Sequence, residues 1–238
     1  MINRILARRQ NDADDHWISL SDIMTSLMML FLLISVIYML QVQESVDLPK
    51  IFKEDQTALH GQMQRTFDGK MTQWGAVLSP DLTVRFNNAD IQFAVGSSEL
   101  RTQFQQALND FFPKYVKILH DPQYAARIKE IRIEGHTSTY WANGVTPDVA
   151  YLNNMQLSQQ RAQATLIYLL TQAPLSEQDK AWLKPRLRAI GFSSAQPLNA
   201  QGQPVKQAQD EDPVQSQRVE FRVVTDAEDR IRAIAAGQ

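Results

Sequence analysis

The chemistry legible in this sequence gathers at two places, of which the first is an acid set in apolar surroundings. Asp22 is the only formal charge between Ile18 and Leu40. Thr25 and Ser26 follow it at i+3 and i+4, so a helix through this run puts two hydroxyls beside the carboxylate, and the three together can help to coordinate a cation or hold a proton. An acid at the centre of a spanning helix costs about 2.5–3.5 kcal/mol on insertion scales, and less near an end, so it normally faces protein or water. A structural acid that pairs with a partner's lysine, or reaches toward the headgroups, is the alternative. The second place is Arg161, whose planar guanidinium offers a two-pronged grip to a carboxylate. With Ser158 just upstream, it is expected at a helix N-terminus, where free backbone N–H groups attract anions. A surface salt bridge is the plain alternative there.

The elements that must position these residues follow from patterning. Ile18 to Leu40 is 23 residues long, and about 20 suffice to cross the hydrocarbon core, so this run predicts a transmembrane helix. A cleaved signal peptide fits less well, because the apolar stretch exceeds the usual length and Tyr38-Met39-Leu40-Gln41 offers no small-residue cleavage site. Arg4, Arg8 and Arg9 precede the span, against the more distant Lys50 and Lys53 after it; this places the N-terminus in the cytoplasm. Residues 41–74 read as a short turn near Pro49 and then a helix. Leu59, Met63, Phe67, Met71 and Trp74 form a narrow apolar stripe there, suited to packing on the chain's own domain or to a dimer seam or channel plug.

From Gly75 onward the pattern is mixed. Strands are expected at 82–86 and 90–93 with Asn87-Asn88 as the turn, then a helix opened by Gly96 and capped by Ser97 or Ser98, running through Leu100, Phe104, Leu108, Phe111 and Tyr115. A strand at 128–134, a helix at 157–170, and strands at 186–190 and 218–224 complete the set. Strands alternating with helices make an α/β fold, a two-layer sandwich. The domains are therefore 1–17, a cytoplasmic tail; 18–40, the spanning helix; 41–74, a helical connector; and 75–238, the external domain.

Composition narrows the function classes. The net charge is −2, which gives a nucleic-acid partner no electrostatic support. The chain has no cysteine, which removes disulfides, thiolate nucleophiles and cysteine-held metal sites. His16, His60, His120 and His136 share no ligand spacing, so no metal is expected and His136 reads as a residue that caps or packs a strand end. With no phosphate-cradling glycine loop, nucleophile elbow or Cys/His cluster, an enzyme is not expected.

Two resemblances organise these parts. The run Trp17-Ile18-Ser19-Leu20-Ser21-Asp22-Ile23-Met24-Thr25-Ser26 and the aliphatic stretch after it resemble the signature of MotB-type stator subunits. The resemblance implies that Asp22 is the ion-binding carboxylate for H⁺ or Na⁺. It also implies two copies of this chain inside a ring of five multi-span subunits of the MotA or ZorA type. Ile91 to Leu100, Ile131-Arg132-Ile133-Glu134-Gly135-His136-Thr137, Asn154 with Leu157-Ser158-Gln159-Gln160-Arg161-Ala162, and Gln217-Arg218-Val219-Glu220 resemble, in order, the motifs of the OmpA-like peptidoglycan-binding domain. That resemblance implies a peptidoglycan site at His136, Thr137, Ser138, Asn154, Leu157, Ser158, Arg161 and Arg218, with Arg161 on a stem carboxylate. Ser138 stands where the family has an aspartate, so the stem's ammonium lacks its expected partner; Asp148, in the loop 139–152, is a substitute. The short connector resembles the ZorB group, implying a place in anti-phage defence in the bacterial inner membrane, with the C-terminal domain periplasmic. A flagellar stator subunit and a passive wall tether are the alternatives.

Overall fold

A computed structural model describes residues 2–227, with side-chain surroundings for 21–40 and for 53–227 apart from Ala208. Two compact units divide between Ile51 and Phe52. Helix α1 runs Ile2–Phe67, so the turn expected near Pro49 is absent: the backbone stays helical through residues 41–50. Trp17 and the arginines at 4, 8 and 9 lie outside the side chains described.

In the first unit, Ser21–Leu40 has a mean hydropathy of 2.4 with none of it buried. By length and composition it suffices to cross a membrane. Thr25 donates its hydroxyl to its own helix, at Ser21 O, 2.7 Å. That back-bond is the usual way a helical threonine satisfies itself in apolar surroundings.

The second unit begins inside α1. Leu59, Met63 and Phe67 are buried in the domain core, and Asp55 pairs with Arg127. The apolar stripe of the connector is thus used for packing on the chain's own domain, the first of the two uses expected of it. After α2 (Met71–Trp74) come β1 (Ala76–Leu78), β2 (Val84–Phe86), α3 (Ala89–Gln92), α4 (Thr102–Leu119), β3 (Ile128–His136), α5 (Pro147–Thr171), α6 (Glu177–Leu183), β4 (Leu187–Gly191), α7 (Pro213–Ser216) and β5 (Arg218–Thr225). The strands form one sheet in the order β1-β2-β5-β3-β4, antiparallel except for β3 with β4. The fold is the expected α/β one.

Strand alternation sorts the sheet into two faces. Val84, Phe86, Ile131, Ile133, Val219 and Phe221 are buried on the face that carries the helices, where Phe86 meets Phe104 and Phe111 of α4, and Phe221 meets Phe111, edge-on at 5.2–5.4 Å. The other face carries charge: His136 lies opposite Arg218, Glu134 opposite Glu220, and Arg132 opposite Arg222.

Three local expectations are corrected. Residues 90–93 do not form a strand; one helical turn, α3, lets the buried Gln92 amide donate to Phe86 O at 2.8 Å, a side-chain demand that alternation does not register. The helix expected from Gly96 starts at Thr102 instead, with no side-chain cap from Arg101. Ser97 accepts from Glu99 N at 3.0 Å in a turn closed by the Phe93 to Leu100 bridge. The helix expected from Leu157 begins about three turns earlier: Thr146 caps it by accepting from Val149 N, Pro147 occupies its first turn, and Asp148 sits there too, not in a loop. Those are ordinary helix-start residues, and they set the helix start ahead of the apolar spacing that begins at Leu157.

Candidate functional site

The end of β3, the middle of α5 and the end of β4 meet because two glycines let them. A Cβ on Gly135 would stand 2.2 Å from Ser158 O, and one on Gly191 2.5 Å from Gln159 N. No larger residue permits this approach of strand to helix backbone. Gln159 then satisfies the strand edge, accepting from Gly191 N at 2.7 Å and donating to Ala189 O at 3.2 Å. Ser193, just beyond β4, is fully buried with φ +52°. It takes Ser158 Oγ at its N–H (3.0 Å), gives its hydroxyl to Tyr151 O (2.8 Å), and accepts from Thr137 N (2.9 Å). A non-glycine residue in the left-handed region persists where its surroundings over-determine it, as these three bonds do.

Of the residues expected at the site, Thr137, Ser138, Asn154, Leu157, Ser158 and Arg161 are all buried, each 8% exposed or less. Asn154 Nδ2 and Thr137 Oγ1 are buried without a hydrogen-bond partner. Buried polar groups are rarely left so. Arg161 lies mid-helix in α5, not at a helix N-terminus, so the expectation of anion attraction by free N–H groups there is corrected. Its guanidinium is held from the other side: Nε donates to Ser97 O at 2.9 Å, Nη2 to Ala94 O at 3.4 Å, and the plane rests 5.0 Å over the Phe93 ring. Burial lowers its pKa to about 10, which leaves it cationic at neutral pH. The turn at 94–97 therefore fixes the fork, while Nη1 makes none of these bonds.

His136 and Arg218 point to the charged face. His136 stacks on Phe192, ring centroids 5.0 Å apart, with neither ring nitrogen hydrogen-bonded, and burial holds it below the ordinary histidine range. Its Nε2 lies 3.8 and 3.9 Å from Glu134 and Glu220, too far for a hydrogen bond. Directly opposed like charges destabilise a sheet. Here arginines offset the pair: Arg218 Nε meets Glu220 at 2.6 Å, Arg85 Nε meets it at 2.8 Å, and Arg222 bridges Glu134 (3.2 Å) and Glu220 (3.4 Å). Burial alone would raise the Glu220 pKa, but Arg218 foremost draws it down to about 2. Donor atoms of Glu134, His136 and Glu220 fall within 4.8 Å of one another, yet Glu220 already pairs with Arg85, Arg218 and Arg222, and Glu134 with Arg222, so both carboxylates are already engaged by cations of the fold. This ladder was not foreseen, although the every-second-residue charges of Arg132, Glu134, Arg218, Glu220 and Arg222 spell it.

The segment between β4 and β5 crosses this face. Arg218 Nη1 donates to Gln196 O and Ser216 O, Arg85 to Gly202 O, and Glu211 accepts from both the backbone N–H and the hydroxyl of Thr139. Glu211 was also not foreseen. Asp22 and Ser26 of the apolar helix are exposed within the chain's own fold, on one helical face with Thr25.

Residues 92–211 match the OmpA family. The chain is 37% identical to Zorya protein ZorB of Escherichia coli Crooks, across 98% of this chain and 97% of that protein. It is 25% identical to Zorya protein ZorB of Escherichia coli O139:H28, across 81% and 76%. Among solved structures, a MotB-like protein from Desulfovibrio vulgaris shares the fold at 20% identity and a TM-score of 0.50, covering 73% of this chain and 93% of that one. With near-complete coverage by one relative and the OmpA match over the domain that builds the site, the chain belongs to the ZorB family of OmpA-domain proteins.

Proposed function

We propose that this chain is the wall-anchored subunit of an ion-driven motor in the bacterial inner membrane, acting in anti-phage defence, a reading supported by its likeness to the Zorya proteins ZorB. The N-terminus is cytoplasmic, one helix spans the bilayer, and the C-terminal domain lies in the periplasm and grips peptidoglycan. Two copies sit within five multi-span partner subunits, and H⁺ or Na⁺ passes at Asp22 with Thr25 and Ser26 beside it.

The observation that carries this reading is that none of Ser21–Leu40 is buried by the chain itself, although that stretch holds an acid. A carboxylate in hydrocarbon must face protein or water, and the described residues of this chain supply no such shelter, so other subunits do. Uptake of a proton or cation neutralises the acid and lets it enter an apolar contact; release returns it to a wet one. One elementary charge crossing 100 mV releases about 2.3 kcal/mol to drive such a step. On the wall side, Arg161 takes a stem carboxylate through its unengaged nitrogen, Thr137 and Asn154 supply the buried polar groups that lack partners, and His136 and Arg218 hold the strand ends behind them.

Asp22→Asn keeps the shape and removes the titratable group. Co-expressed with the multi-span partner, the variant is expected to insert and assemble at wild-type levels and to lose ion flux and protection against phage. Full protection from an assembled Asp22→Asn complex overturns the motor reading and leaves a passive tether.

A further inference from the structure

A stem peptide ending in a diamino diacid presents a carboxylate and an ammonium on one carbon. Arg161 answers the carboxylate, and the ammonium requires an acceptor, best a charged one. At the C-terminal end of β3 the chain offers no free acid from its own strand: Glu134 is paired with Arg222 on the charged face, Ser138 is buried and gives its hydroxyl to Tyr140 O at 3.5 Å, and Asp148 is exposed in the first turn of α5. An acid arrives from elsewhere. Glu211, from the segment that crosses the charged face, accepts from Thr139 N with both carboxylate oxygens at 3.2 Å and from the Thr139 hydroxyl. It is thereby fixed beside the residue that follows Ser138.

We propose that Glu211 is the specificity residue that reads the ammonium of a diamino-acid stem, replacing the acid that position 138 lacks. This rests on the peptidoglycan reading given above. Three features support it. Glu211 is partly exposed, so a ligand reaches it. Its backbone is pinned by its neighbour: Asp212 N donates to Leu198 O at 2.7 Å, and the Asp212 carboxylate caps α7 through Val214 N and Gln215 N at 2.8 and 3.1 Å. An ionised carboxylate has about four acceptor sites, so the Thr139 bonds leave room for an ammonium, and no cationic side chain pairs with Glu211 among the described residues. Asp148 has comparable charge but no such positioning bonds.

The test is titration calorimetry on the full-length protein in detergent. The probes are a stem tripeptide ending in meso-diaminopimelate and the same peptide with its terminal amine acetylated. Wild type is expected to prefer the free amine by about tenfold or more, the scale of a charge-assisted hydrogen bond. E211Q, whose amide oxygen still accepts from Thr139, is expected to lose that preference while binding the acetylated peptide as wild type does. E211D, which keeps the charge, is expected to retain a preference even if the tie to Thr139 loosens, and so is D148N. A wild-type preference that survives in E211Q overturns the assignment, as does wild type binding both peptides equally. Failure of wild type to bind either peptide overturns the peptidoglycan reading beneath it.

Discussion

Replacing Gly135 by alanine should separate strand from helix at the one point where the site depends on their contact. The new methyl would lie 2.2 Å from Ser158 O, 3.0 Å from Ser158 C and 3.4 Å from Ser158 Cα, whereas ordinary carbon contacts need about 3.5 Å. The atoms in the way are backbone, so no side chain can rotate aside and α5 must withdraw from β3 by more than about 1 Å. Overpacking of this kind costs about 1–3 kcal/mol, and an immovable neighbour puts this case near the upper end. For a domain of this size each kcal/mol lowers the melting temperature by about 2–4 °C, which gives a drop of roughly 6–12 °C. Arg161 lies one turn beyond Ser158 on the moving helix, so retention on purified cell-wall sacculi should fall as well. Gly69→Ala is the control: Gly69 also requires a glycine-friendly backbone, φ +69°, but nothing lies within 4 Å of its Cβ position. It should cost about 1 kcal/mol of backbone strain and leave sacculus binding intact. A Gly135→Ala protein that melts within about 2 °C of wild type and binds sacculi normally would refute the close-packed account of the site.

Phe67→Ala should cost about 3–5 kcal/mol, because Phe67 is fully buried against Trp74 and Phe111; a loss under about 1 kcal/mol in urea unfolding would show that the end of α1 is not part of the core. Acid should destabilise the domain in two steps. Burial holds folded His136 neutral below the ordinary value of 6.5, so the unfolded chain binds the extra proton and stability falls as the pH drops below about 6.5, a step that His136→Gln should flatten. Ionised Glu220, whose pKa falls from 4.5 to about 2 in the fold, contributes on the order of 3 kcal/mol that is lost as the pH falls from about 4.5 to 2; urea midpoints unchanged from about pH 7 to 5 would contradict the first step, and midpoints unchanged from about pH 5 to 2 the second. Arg161→Lys keeps the charge but cannot grip two carbonyls and a carboxylate at once, so it should weaken sacculus retention about as much as Arg161→Ala does, and wild-type retention would refute the two-sided grip.

The apolar helix and the α/β character of the external domain were readable because each rests on long-range periodicity: an unbroken apolar run to Leu40, the stripe through Leu100, Phe104, Leu108 and Phe111, and alternation along Ile131 and Ile133. What escaped rests on single side-chain bonds. Gln92 bends a would-be strand into α3 to satisfy its amide, and Ser97 closes a turn where a helix cap was expected. Glu211 reaches Thr139 across 72 residues of sequence, a contact that only the folded topology brings about. Arg161 was legible as a carboxylate grip but not as a residue already clamped by the carbonyls of Ala94 and Ser97, since those are backbone groups with no residue-type signal. The connector's stripe was legible as a packing surface, and its two possible partners could be told apart only once Leu59, Met63 and Phe67 were found inside the domain.

The most direct measurement is infrared spectroscopy of the assembled membrane complex with isotope-labelled aspartate at position 22, recorded with and without an ion gradient. The account predicts a carboxyl C=O band that appears and disappears as ions are taken up and released, absent in Asp22→Asn. A band fixed in one protonation state while ions continue to flow would contradict it.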